Sequence, residues 1–127
     1  MSAKPSGTVA SRLQGAWRYV GTTYDGKLRE DREKNPPGII IYDPSGHMAV
    51  QMVPAKEKRA SAPMSQFLAY FGTYSIDEQA GTVTHHREGD LRADGEVDAV
   101  RQYRFEGDRL ILSPVGSTQD IIWERIQ

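Results

Sequence analysis

Turn-forming sequences interrupt this chain at short intervals, and the segments between them alternate apolar and polar side chains. Asp25-Gly26 is a two-residue hairpin signal. Asp43-Pro44-Ser45-Gly46 has Asp to bond its own backbone, Pro to preset φ and Gly to close the turn. Glu106-Gly107-Asp108 is a third tight turn, and Pro114 to Ser117 reverses the chain once more. Such spacing leaves little room for long helices and predicts about eight to ten short strands.

The strands follow from period-two patterning. Trp17 and Tyr19 share one face of a strand opened by Gly15; Ala16, Arg18 and Val20 take the other. A polar return strand is expected over Lys27 to Glu30. The mixed charges of Lys27 to Lys34 read as a solvated edge and loop, ended by Asn35-Pro36-Pro37-Gly38. Ile39 to Asp43 is a branched run suited to a buried strand. In His47 to Val53, Met48, Val50 and Met52 form one face. Pro54 to Pro63 is polar. Ser65 is placed to cap a short helix through Tyr70, the alternative being an irregular lid over the whole of residues 54–70, and the strand pattern resumes over Gly72 to Asp77. Thr82 to Arg87 sets Val83 and His85 on one side. Glu88 to Glu96 reads as a polar loop. Val97 to Phe105 is the longest strand signal, with Val97, Ala99, Arg101, Tyr103 and Phe105 on one face. Arg109 to Ser113 and Thr118 to Ile126 complete the set.

Sequential hairpins favour an all-β, single antiparallel up-and-down barrel with one short helix or lid. Residues 1–8 are expected to form a flexible tail, with one helical turn near Val9 to Leu13, and residues 9–127 the barrel domain. At 127 residues the chain has the length of one domain. Its charge is nearly balanced, with 16 Lys and Arg against 17 Asp and Glu, so nucleic acid is not an expected partner. No apolar run approaches the ~20 residues that cross a bilayer, and Met1 to Val9 lacks the apolar stretch of a secretory leader. With no Cys there is no disulfide framework. A cytoplasmic location is expected; a mature secreted chain that has lost its leader is the alternative.

Leu13-Gln14-Gly15-Ala16-Trp17 carries the Gly-x-Trp pattern that opens the first barrel strand of lipocalins, and Trp123-Glu124-Arg125 lies on the last strand. The chain resembles the lipocalin-like domain proteins of bacteria and fungi. Further motifs are the Pro-x-Gly to Gly-His-Met stretch at Pro36 to Met48, Tyr70-Phe71-Gly72-Thr73-Tyr74, Val83-Thr84-His85-His86, and Arg101 to Phe105 followed by Gly107-Asp108-Arg109-Leu110. The resemblance implies a lipocalin-like barrel in which Arg125 packs over Trp17. It implies no single activity.

Polar residues on the inward face are the candidates for function. Arg101 and Tyr103 share a pleat with Val97 and Phe105, and Arg101-Gln102-Tyr103 is similar to the Arg-x-Tyr pair with which fatty-acid-binding barrels hold a carboxylate. The structural alternative is that Arg101 pairs with an internal acid such as Glu124. His85 is a candidate general acid or base, as is Tyr103, or else a hydrogen-bonded core residue. Met48, Met52, Tyr42, Tyr70 and Tyr74 would line a pocket for a flat apolar ligand or fill the core. His47, His85 and His86 do not make a metal site, because adjacent His85 and His86 point to opposite faces. Neither metal nor cofactor is expected. The sequence therefore points to a barrel that binds a small apolar molecule bearing a carboxylate or carbonyl, using Arg101, Tyr103, His85, Tyr74, Met48, Met52 and Glu124. The alternatives are an isomerase or cyclase working in the same pocket, and a filled-core scaffold. Membrane insertion is not expected, and a homodimer remains open.

Overall fold

The computed structural model describes residues 8–28, 37–91 and 98–127. The tail over residues 1–7, the charged stretch from residue 29 with Asn35-Pro36, and residues 92–97 lie outside them. The chain reverses where the turn chemistry demands. Asp25 and Gly26 both have left-handed backbone, with φ of 54° and 80°, the pairing a type I′ hairpin requires. They join β1 (Gly15–Tyr24) to the two-residue β2 (Lys27–Leu28). In the next turn Ser45 N–H donates to Asp43 Oδ2 at 2.9 Å, joining β3 (Gly38–Tyr42) to β4 (His47–Met52).

Then come α2 (Lys56–Arg59, after α1 at Val9–Leu13), a 3-10 turn at Met64–Gln66, and β5 (Leu68–Asp77). The strands β6 (Thr82–Asp90), β7 (Asp98–Glu106), β8 (Arg109–Pro114) and β9 (Gln119–Arg125) follow. Each pairs antiparallel with its neighbour, and β1 also pairs with β9 from Trp17↔Arg125 to Tyr24↔Gln119. Setting the appended β2 aside, eight strands close into an antiparallel barrel. Closure removes the free edges that would otherwise template aggregation.

Three local expectations are corrected. Ser65 to Tyr70 is not a helix: β5 begins at Leu68, and Tyr70 pairs with Val50. The backbone of β4 needs a partner along its whole length, and Leu68 and Tyr70 supply it on the inward pleat. Residues 88–90 are strand, not loop, because β6 runs on to pair Asp90 with Tyr70. The Ile39–Ile41 run is buried on one face only: Ile40 is inside while Ile39 and Ile41 are exposed. Helix α1 lies on the helical turn expected at Val9 to Leu13, and α2 buries none of its side chains.

The barrel floor is closed by α1. Thr8 Oγ1 caps it, accepting from Ser11 N–H. Leu13 is fully buried, and its carbonyl accepts from Trp17 Nε1 at 2.9 Å. Arg125 lies over the Trp17 ring, Cζ 4.1 Å from the centroid, and donates to Gln14 O at 2.9 Å and to Arg12 O. The Gly of Gly-x-Trp has a physical reason here: at Gly15 φ is +124°, and a Cβ would meet Arg125 Nη1 at 2.8 Å. Among the described residues no helix is long and apolar enough to cross a membrane.

Candidate functional site

Above the floor the inward pleat collects polar groups. Val83 and His85 point inward from β6, with His85 only 2% exposed. The imidazole is held at both nitrogens: Nε2 lies 2.5 Å from Tyr42 Oη and Nδ1 lies 2.7 Å from Tyr70 Oη. Tyr42 comes from β3 and Tyr70 from β5, so three strands meet at this ring. Burial first, then the cations Arg101 and Arg87, lower the His85 pKa to about 3. The imidazole is therefore neutral near pH 7. Burial also raises both tyrosines above the usual phenol value. At neutral pH the cluster is an uncharged hydrogen-bond chain.

Arg101 stands beside this chain. Ala99 pairs directly with His85 across β6 and β7, so Arg101 is the diagonal neighbour of His85 on the same face. Its guanidinium is the strongest charge acting on both His85 and Tyr70. Arg101 Nη1 donates to Val100 O at 3.0 Å, and among the described residues Arg101 has no ion pair. The second cation, Arg87, is balanced: Nη1 lies 3.1 Å from Asp90 Oδ2, and the guanidinium sits over the Tyr70 ring at 5.1 Å. Two buried donors, Trp123 Nε1 and Arg87 Nε, have no hydrogen-bond partner among the described residues. Such groups are costly, and in native proteins they call for an explanation.

The other nominated residues separate into distinct places. Met48 is core, and Met52 packs against the core partly exposed. Tyr74 donates to Asp43 O at 2.8 Å and packs edge-on against Tyr42, bracing the β3–β4 turn. Tyr103 shares the inward register of Arg101, but burial and then the carboxylates of Glu78 and Asp77 raise its pKa, which sets it beside the β5–β6 turn. Glu124 does not meet Arg101. Trp123 is inward, so the pleat turns Glu124 outward, where it bonds Arg18 at 2.6 Å and approaches Arg109 at 3.9 Å. His47 contacts Ser45, and His86 contacts Ser75 and Asp98, each on the exposed side. Among the described residues no cluster of three His, Cys, Asp or Glu could hold a metal.

Sequence reasoning named Tyr42 and Tyr70 as pocket lining or core filling and missed Arg87. Arg87 was readable, since it shares the pleat of Val83 and His85. A concavity of about 600 Å³ lies outside the barrel, across β3 to β6, lined by residues including Ile39, Ile41, Phe71 and Leu91. Of the residues that the sequence suggested as pocket lining, Tyr70 borders it. Inside, Tyr42, Met48 and Tyr70 belong to the packed core.

No curated protein matches the chain. Among solved structures, a lipocalin-like protein from Bacteroides uniformis superposes with a TM-score of 0.61 at 14% identity, covering 91% of this chain and 99% of that one. A DUF4847-family protein from Bacteroides vulgatus gives 0.48 at 12% identity, over 88% of this chain and 92% of that one. At 14% identity the likeness to the Bacteroides uniformis protein concerns the fold alone. Residues 53–125 match the family model of the lipocalin-like domain.

Proposed function

The chain belongs to the lipocalin-like domain family, and on that premise we propose that its barrel binds a small apolar molecule bearing a carboxylate or carbonyl. The observation that carries this reading is Arg101: an inward cation with no ion pair among the described residues, set beside a neutral, buried hydrogen-bond chain. Arg101 is half-buried, and a cation in a partly desolvated position gains from a counter-charge or acceptors. An acidic or carbonyl head supplies them, and its apolar tail would lie against Met52, Leu68 and Ile121, which pack partly buried on the core. The unpaired Trp123 N–H is a further interior donor in search of an acceptor.

The test is titration of the protein with anilinonaphthalene sulfonate, an anionic apolar probe. Saturable binding at one equivalent, displaced by dodecanoic acid, is expected. A filled-core scaffold is the second reading, favoured by the packing of Tyr42, Met48 and Tyr70. Absence of saturable binding would select it.

A further inference from the structure

We infer that the Tyr42–His85–Tyr70 chain is polarised in one direction, and that this makes the interior site selective for a hydrogen-bond acceptor of negative charge, with Tyr70 as second anchor beside Arg101. The selectivity rests on the binding reading above; the polarity of the chain does not.

A neutral imidazole has one N–H and one lone pair. Both His85 nitrogens face tyrosine hydroxyls, at 2.5 Å for Tyr42 and 2.7 Å for Tyr70. One tyrosine must donate to the ring and the other must accept from it. The accepting tyrosine keeps its own proton for something else. Tyr42 is 0% exposed, and its hydroxyl has His85 as its one partner among the described residues. If Tyr42 were the acceptor, its proton would be stranded in the core, which is costly. Tyr70 is 8% exposed, and Arg101 is the strongest charge acting on it. The favoured order is therefore Tyr42 O–H to His85 Nε2, and His85 Nδ1–H to Tyr70 Oη. The Tyr70 proton is then directed away from the chain.

The consequence is chemical. Arg101 has only N–H groups to offer, and Tyr70 offers an O–H while its oxygen already accepts from His85. A carboxylate satisfies both donors and the charge of Arg101. An alcohol of the same length can accept, but its own proton finds no partner. An amine brings a like charge against Arg101. The expected order is acid over alcohol by roughly tenfold or more, with the amine weakest.

Two measurements test this. Long-range proton–nitrogen correlation on uniformly labelled, ligand-free protein reads the His85 tautomer; a protonated Nδ1 and bare Nε2 are expected. Competition of dodecanoic acid, dodecanol and dodecylamine against anilinonaphthalene sulfonate reads the selectivity, in the parent and in Tyr70→Phe. The variant should lose roughly tenfold in acid affinity and keep the part of the preference over the alcohol that the charge of Arg101 supplies. Absence of saturable binding by all three overturns the binding reading and the selectivity with it. Saturable binding with the opposite tautomer, or with acid and alcohol equal in the parent, overturns this inference alone. Should Tyr70→Phe fail to fold, the tautomer and the parent's selectivity still decide.

Discussion

Of the arginines on the inward register of this barrel, Arg125 at the floor and Arg101 above it differ most in what satisfies them. Arg125 lies on an indole face and donates to the carbonyls of Gln14 and Arg12. Arg101 reaches only the carbonyl of its neighbour Val100 and meets no carboxylate among the described residues. The floor is a finished structure: Leu13, Trp17 and Arg125 complete one another, and Gly15 leaves room for the guanidinium. The region above has unpaired donors and a polar chain of the kind a close-packed core has no need of. The same residue type is a structural clasp in one place and, on the proposed reading, a ligand anchor in the other.

Breaking the floor should have the largest effect. Trp17→Ala is expected to lose about 3–5 kcal/mol of stability, as large-to-small core changes do, measured by denaturant unfolding. An unchanged midpoint would mean that Trp17 does not hold the floor.

Acid should act on the upper region next. The folded-state pKa of His85, about 3, lies below its ordinary 6.5. Below pH 6.5 the unfolded chain takes up a proton that the folded chain refuses, so this contribution is complete above 6.5 and is lost as pH falls toward 3. The slope approaches about 1.4 kcal/mol per pH unit. Compared with the parent, His85→Gln should lose stability less steeply across that window. Parallel curves for the two proteins would show that His85 titrates normally in the folded state.

Arg125→Met sharpens the contrast between the arginines. Removing the ring contact and leaving two carbonyls without their donor should cost about 1–3 kcal/mol. Thermal melting at neutral pH reads it, and a variant as stable as the parent would remove the distinction between clasp and site.

Much of the floor was legible because its signals are local or terminal: Gly-x-Trp at one end of the chain, Trp-x-Arg at the other, and hairpin turns that fix the register between. The inward placement of Arg101 and His85 was legible from the pleat alone. The Tyr42–His85–Tyr70 chain was not. Tyr42 and His85 lie 43 positions apart, and no local pattern shows that their strands face each other across the interior. Tyr70 was hidden because Pro54 to Pro63 and Ser65 suggest a lid or helix, whereas the need to pair β4 draws the strand back to Leu68. The pairing of Glu124 with Arg101 failed on the pleat itself, since a residue between inward Trp123 and Arg125 must point out.

The most direct test is Arg101→Met, which keeps most of the side-chain volume and removes the charge. Melting temperature and affinity for dodecanoic acid are measured on the same preparation. The melting temperature should hold or rise, because no internal carboxylate is left unpaired, while acid binding weakens by about 2–3 kcal/mol, the range for charge-assisted hydrogen bonds. A large loss of stability with acid binding unchanged would contradict the ligand-anchor role and make Arg101 a second structural clasp.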